Sequence, residues 1–486
     1  MSSQFQQKTP ILNALKKLSQ KPHAAFYAPG HKQGQGTPQN LLELLGKDIL
    51  KADLPELPEL DNLFAPEGII KEAQELATEA FLADRTWFLI NGSTCGIEAA
   101  ILATCTEGDK IILPRNIHTS AIGGLILSGA IPIWIEPEYD RDFDLLYSIT
   151  PEAVKTAIEQ HQDVKAVMLV YPTYQGVCCD LEAIAKITQK YNIPLLVDEA
   201  HGAHFNFHHD LPPAALSIGA DLSVQSTHKV LGAMTQASML HLRGHRIDGD
   251  RVSKALQILQ TTSPSYLLLA SLDAARQQMA LFGAELLTKT IQLADRARKE
   301  ISQIPNLSVL QPPDRTLPGF TYLDPTRLTV NVSQLGITGF AADEILHQKL
   351  QVTAELPTEQ HLTFIISIGN TESDIDRLVN SFKQISTSFC HSELRGQRLQ
   401  LAKMKLVQNL SPRQAYFAAK ETVPIEKAID RISGELICPY PPGIPVLMPG
   451  ERITSEAIEY LLRAIALGAN ITGAEDSSLK TLKILR

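Results

Sequence analysis

The sequence predicts an α/β fold built on a mostly parallel sheet with helices on both faces. Three observations lead there. Between about Trp87 and Leu242, short apolar runs rich in β-forming residues alternate with helical patterns. Several of these runs, VMLV and LLV among them, are continuously apolar, as a strand covered on both sides must be. The intervening segments EAVKTAIEQH and LEAIAKITQKY repeat apolar residues at helical spacing.

In chain order the predicted strands are WFLI, KIILP, IPIWI, AVMLVYP, IPLLVDEA, LSVQS and ASMLHL. After Pro264, a stretch rich in Ala, Leu, Lys and Glu from Tyr266 to Ile304 predicts one long helix leading out of the sheet. Strand signals return near Leu328 to Val332 and at LTFIISIG, around the helical pattern AADEILHQKL, which predicts a smaller α+β domain between about Val309 and Phe389. Leu399 to Ile432 reads as mixed helix and loop. The proline-rich CPYPPGIPVLMPGE then precedes a last amphipathic helix, SEAIEYLLRAIALG. The expected division is an N-terminal segment over 1–70, a large α/β domain over 71–305, a small α+β domain over 306–390 and a C-terminal domain over 391–486.

Bulk properties narrow the partners. A chain of 486 residues, 44% hydrophobic, buries a large core in two or three domains. A net charge of −9 without a dense Lys/Arg run leaves no footprint for nucleic acid or an anionic membrane surface, so a small-molecule partner fits better. Six cysteines, Cys95, Cys105, Cys178, Cys179, Cys390 and Cys438, are scattered without a C-x-x-C pair. In a chain this long that argues for reduced thiols and a cytosolic compartment rather than disulfides or a zinc site. The polar residues 1–8 carry no apolar signal core, and no apolar stretch is long enough to span a bilayer, so no targeting or membrane segment is expected.

Two local patterns carry chemistry. In VQSTHKVLGAMTQAS, Lys229 follows a buried strand, with Ser226 and His228 before it. Most lysines are solvated, but one at the carboxyl end of a strand in an open α/β sheet stands where such sheets bind ligands, and a desolvated amine there is a nucleophile. In LLVDEAHGAHF, Asp198 ends an apolar strand and His201 follows three residues later. An aspartate there either caps a helix or faces a cation, and the protonated ring nitrogen of pyridoxal 5′-phosphate (PLP) is such a cation. The 31 residues from Asp198 to Lys229 tip the balance to the second reading, because one βα element brings both to the same crevice. Lys229 is then the candidate Schiff-base lysine.

These paired motifs resemble the PLP-dependent fold-type I enzymes, whose large domain is aspartate aminotransferase-like. The fuller pattern is similar to the prokaryotic ornithine/lysine/arginine decarboxylase family. YAPGHKQG and DLPELPELDNL resemble its entry motifs; NGSTCG, LPRNIHTS, YPTYQGVCCDL, VDEAHGAHF and QSTHK stand in the middle; CPYPPGIPVLMPGE resembles its C-terminal signature. The resemblance implies that Ser93 and Thr94 grip the cofactor phosphate at a helix start, where backbone N–H groups and the helix dipole favour an anion. Cys95 stands where a serine or threonine is more usual, which weakens a hydroxyl contact and leaves the backbone donors. His118 matches the histidine that stacks on the ring, although Thr119 replaces the lysine often found after it. His201 is placed near the same ring, Thr173 at the ring oxygen, and Ser226 and His228 at the phosphate, His228 also handling protons. A metal at His204, His208 and His209 is not expected; a polar loop explains them.

The reaction implied is decarboxylation of arginine, lysine or ornithine to agmatine, cadaverine or putrescine, with Lys229 or His228 returning a proton to Cα. The sequence does not choose among the three substrates. Candidate carboxylates for their cationic tail are those of DLPELPELDNL, Glu355, Glu435 and Glu451. The family's active sites are built at a dimer interface, so at least a homodimer is implied. The 1–70 segment would contribute to it, and Thr262 in TTSPSY would reach the neighbouring phosphate. A short form without the family's N-terminal receiver-like domain is expected. Two rivals stay open: another fold-type I reaction, such as an aminotransferase or lyase, and a non-catalytic PLP-binding regulatory homologue.

Overall fold

The computed structural model describes residues 3–389, 407–440 and 443–486. The chain separates into two compact units, Met1–Ala103 with Val197–Leu286 and Thr104–Leu196 with Leu287–Arg486. All seven predicted strands form: β1 (Arg85–Leu89), β2 (Lys110–Pro114), β3 (Ile131–Ile135), β4 (Val164–Val170), β5 (Leu195–Asp198), β6 (Leu222–Gln225) and β7 (Ser238–Leu242). The first unit carries the strand order β1-β7-β6-β5 and the second β5-β4-β2-β3, with β5 beginning in the second unit and ending in the first.

In the second unit β2 runs parallel to β3 and to β4. In the first, β7 departs from the mostly parallel expectation and runs antiparallel to both β1 and β6. The reason is local. The connection from β6 to β7 holds only the one-turn helix Thr227–Val230, whereas a parallel return requires a full crossover element. Because β1 and β6 both oppose β7, they point the same way, and the residues after their carboxyl ends, Asn91–Ser93 and Ser226, share one edge of the sheet.

Small residues let a helix press onto that edge. The helix Gly92–Thr104 buries Gly96, Ala99, Ala100 and Ala103. A Cβ added at Gly96 would lie 2.7 Å from Leu89 Cδ1 and equally from Val224 Cγ1, so glycine sets how closely the helix approaches β1 and β6. The helix Pro10–Ser19 packs Ile11, Leu15 and Leu18 inward. Its start is held by a fully buried pair, Asp273 and Arg276, 2.6 Å apart. Arg276 also donates to the carbonyls of Gln6 and Lys8, and Asp273 accepts from the N–H of Ile11. Both belong to the helix Tyr266–Ser302, which matches the predicted long helix within two residues.

In the second unit an antiparallel sheet, built around Arg327–Asn331 and His361–Ile365, packs with the helices Gly339–Leu350 and Glu372–Ser388 about one apolar cluster from Leu293 to Ile385. A separate cluster, Ile425 to Ile484, lies beneath the helix Ser455–Ala466 and the paired strands Lys420–Pro424 and Thr481–Leu485. From the proline-rich signature, Cys438–Tyr440 pairs with Asn470–Thr472. Pro441 and Pro442 lie outside the described residues, as do Cys390 and the first part of the Leu399 to Ile432 stretch. The five described cysteines are buried free thiols. Among the described residues no helix is long and apolar enough to cross a membrane.

Replacing Gly96 with alanine forces Leu89 and Val224 aside. The expected cost is about 1–3 kcal/mol, the usual range for overpacking, read as a lower denaturation midpoint with secondary structure retained.

Candidate active site

Within the first unit, the carboxyl ends of the strands gather most of the candidate residues. Ser226 follows β6, and its hydroxyl donates to that of Ser93, 2.7 Å away on the first turn of the helix Gly92–Thr104. Gly92 takes a φ of +75°, a conformation that suits glycine and turns the chain straight into the helix. The helix therefore presents two hydroxyls and its first N–H groups together, the arrangement that favours an anion. Thr94 is exposed at the same start. Cys95 is buried and its thiol donates to the Gly92 carbonyl, so its backbone N–H is what it can offer an anion; burial pushes the thiol up to about 12.

Lys229 lies in the one-turn helix after Ser226, with its N–H on the Ser226 carbonyl. Its Nζ is 3.0 Å from His201 Nε2, and a charged amine has only donors, so the imidazole presents its lone pair to it. Asp198 is the last residue of β5, 5% exposed, and accepts the Ala200 N–H. No helix begins there, so the helix-cap alternative for Asp198 falls away. His228 donates from Nδ1 to the Ala237 carbonyl, which fixes Nε2 as the acceptor in the neutral ring. Burial, then the neighbouring Lys229 charge, hold its pKa below the ordinary histidine value against that carbonyl. Thr227 buries a hydroxyl with no hydrogen-bond partner among the described residues. Thr262 is exposed on the loop beside Asn91, whose side chain accepts the Thr261 N–H.

His118 and Thr173 belong to the second unit. His118 caps the helix Thr119–Ser128, its Nδ1 meeting the Ser120 N–H and hydroxyl, while its Nε2 lies against Gly443 of the proline-rich signature. Thr173 closes the tight turn to Val177, its hydroxyl accepting the Val177 N–H.

Sequence reasoning missed a polar spine under this edge. Glu199, next to Asp198, is fully buried and accepts from the Ala215 N–H, the Ser223 hydroxyl and the Gln225 amide. Gln225 in turn accepts from His241, whose Nδ1 meets Thr86. The row crosses β6, β7 and β1. Burial raises the Glu199 carboxyl to about 7 despite its three donors, and burial lowers His241 to about 3. A Glu beside the strand-end Asp, with polar Ser223 and Gln225 inside an otherwise apolar strand, was the available signal.

Two proposed tail carboxylates have other duties. Glu451, 1% exposed, pairs with Arg115 at 3.0 Å and accepts the Met448 N–H. Glu435 accepts the N–H groups of Glu475 and Lys483. In the entry motif, Asp61 accepts the N–H groups of Asn62, Glu67, Gly68 and Ile70, stapling that loop. Glu355 is exposed.

A lysine just after one strand end and an aspartate closing the neighbouring strand, with a hydroxyl-bearing helix start on the same edge, define the large domain of a fold-type I PLP enzyme. Its donor set fits PLP: Ser93, Ser226 and the helix N–H groups for the phosphate, Lys229 for the aldehyde, Asp198 for the ring nitrogen. Comparison with known proteins sharpens the class. The family described as Orn/Lys/Arg decarboxylase, major domain, matches residues 9–374, and its C-terminal domain matches residues 397–477. The arginine decarboxylase of Bacillus subtilis (strain 168) is 38% identical over 482 residues, covering 99% of this chain and 98% of its own, and that of Bacillus anthracis is 39% identical over 486 residues, covering 99% and 98%. The solved constitutive lysine decarboxylase of E. coli superposes with a TM-score of 0.83 at 22% identity, over 99% of this chain and 82% of its own. The chain belongs to the Orn/Lys/Arg decarboxylase family.

The Glu199 proton gives a signed prediction. The folded carboxyl keeps a proton that the unfolded chain releases between about pH 4.5 and 7, so its contribution to stability falls across that window and is flat above it. At about 1.36 kcal/mol per pKa unit the loss is roughly 3 kcal/mol. Glu199→Gln should flatten the wild-type decline in denaturation midpoint between pH 5 and 7.5.

Proposed function

We propose that this chain is a PLP-dependent decarboxylase of a basic L-amino acid, arginine foremost. The observation that carries it is the cluster of Lys229, His201, Asp198, Ser226 and Ser93 at the strand carboxyl ends. The preference for arginine draws on the arginine decarboxylases at 38–39% identity. When bound, PLP supplies an electron-accepting ring that withdraws the electron pair of the Cα–carboxylate bond.

The chain's residues do the rest. Ser93, Ser226 and the N–H groups of the helix Gly92–Thr104 hold the phosphate, with Thr94 and Cys95 contributing from the same turn. Asp198, buried at the end of β5, would face the ring nitrogen and favour its protonated form. Lys229 would hold the aldehyde and return a proton to the substrate's Cα, with His201 Nε2 positioned to accept its N–H. His228 Nε2 is the alternative proton carrier. His118 is assigned to the ring face and Thr173 to the ring oxygen, on the family resemblance. Thr262, on its exposed loop, is assigned to a neighbouring copy's phosphate in at least a homodimer. The four-part division at 70, 305 and 390 stays our domain reading, supported by the separate apolar clusters of the second unit. The buried free thiols support a cytosolic compartment.

Supplying arginine, lysine and ornithine separately and measuring CO₂ and amine tests the reaction and the substrate; we expect arginine to be turned over fastest, and no CO₂ from any of the three overturns the proposal. Lys229→Ala should abolish turnover and the visible absorbance of bound cofactor. Asp198→Ala should lower kcat by about 10²–10³, the range for removing one fixed electrostatic partner. Sedimentation of the purified protein should show no monomer at micromolar concentration.

A further inference from the structure

Arg115 stands three residues before His118, on the short turn between β2 and the helix Thr119–Ser128. Its backbone is fixed, because its own N–H donates to the Ile135 carbonyl at the end of β3. Within the second unit, both side chains reach the same stretch of the C-terminal signature, 443–451. The Arg115 guanidinium donates to the carbonyls of Pro445 and Val446 and to the Glu451 carboxylate, each at 3.0 Å. The His118 imidazole lies with its Nε2 against Gly443, where an added Cβ would sit 3.7 Å from it. One turn thus grips one strap at two points.

The ionic point suits the strap it holds. Among the described residues, 443–447 meets another segment in a strand-like way only through the bridge of Leu447 to Ile437, so its remaining carbonyls need donors from elsewhere. A planar guanidinium can serve two successive carbonyls and a carboxylate together, which an ammonium cannot. The Trp134 ring, 5.7 Å from the guanidinium, favours the cation further. Glu451, 1% exposed, also accepts the Met448 N–H at 2.8 Å, which closes the far end of the strap onto the same carboxylate.

The histidine point has a defined polarity. Nδ1 accepts the Ser120 N–H, so the neutral ring carries its proton on Nε2, the edge that Gly443 covers. If the strap moves, that edge opens to water and the ring loses a wall.

We propose that Arg115 and Glu451 are positioning residues: by clamping 443–451 they seat Gly443 on His118 and hold its imidazole in place. The effect on turnover rests on the decarboxylase reading, which assigns His118 to the cofactor's ring face. The clamp itself is read from the geometry alone.

The test, on holoenzyme, has two arms. Exchange of the imidazole C2 hydrogen for deuterium, followed by peptide mass spectrometry, reports solvent access at each histidine separately. His118 should exchange severalfold faster in Arg115→Met and in Glu451→Ala than in the wild type, while exposed His209 stays unchanged. Glu451→Gln, which still offers an acceptor to Arg115 and Met448, should keep the slow rate. If Arg115→Met does not fold, Arg115→Lys decides, since lysine keeps the charge beside Glu451 but lacks the fork for both carbonyls; it too should speed exchange. An unchanged His118 rate in the variants that fold overturns the clamp.

Turnover supplies the second arm. Arg115→Met should lower kcat roughly tenfold with KM changed far less, and about twofold or less when added to His118→Ala, because a residue that acts through His118 has nothing left to position. An equal loss in both backgrounds overturns the positioning role. If His118→Ala alone turns over normally, or no amino acid is turned over, the assignment of His118 or the decarboxylase reading is what fails, and the exchange arm still decides the clamp.

Discussion

An amine kept 3.0 Å from an imidazole lone pair, at the edge of a sheet, is the constraint on which the site depends. Lysine prefers water, and a long flexible side chain loses considerable rotamer entropy when fixed. Here three local features oppose that loss. The backbone of Lys229 is tied to Ser226, the strand before it is wholly buried, and His201 takes the amine's hydrogen. Remove the strand geometry and the same lysine is a solvated surface charge.

The strand ends are themselves held from beneath. Asp198, which we assign to the cofactor, closes β5, while Glu199, one residue on, faces the spine of Gln225, His241 and Thr86. Neighbouring residues of one extended segment thus serve opposite purposes. One carboxylate is the one we propose for the chemistry, and the other fixes the register of β6 and β7 relative to the segment that carries the first. An apolar residue at Glu199 would pack, but it would leave the amide of Gln225 and the N–H of Ala215 buried without acceptors.

Much of the fold was legible because burial imposes period and continuity on sequence. The runs KIILP and IPIWI became strands with the expected residues, LSVQS lost only its last residue, Ser226, and the long helix after Pro264 ended within two residues of its expected end. The direction of β7 was not legible, since ASMLHL reads the same either way and only the short helix before it decides. In the site, Lys229, Asp198 and Ser226 could be found because strand-end position is written locally. The duties of Glu435 and Glu451 could not, because their partners Glu475, Lys483 and Arg115 lie tens to hundreds of residues away.

The buried pair Asp273–Arg276 has a temporal side. It fastens residues 6 to 11 to a helix some 270 positions later, so the beginning of the chain cannot dock until that helix has been made. At about 5–20 residues per second of synthesis the wait is roughly 15–55 s. Until then Ile11, Leu15 and Leu18 can be covered only by neighbouring elements such as the helices Lys47–Ala52 and Ile69–Ala80, which makes the earliest part of the newborn chain a partly covered client for a holding chaperone.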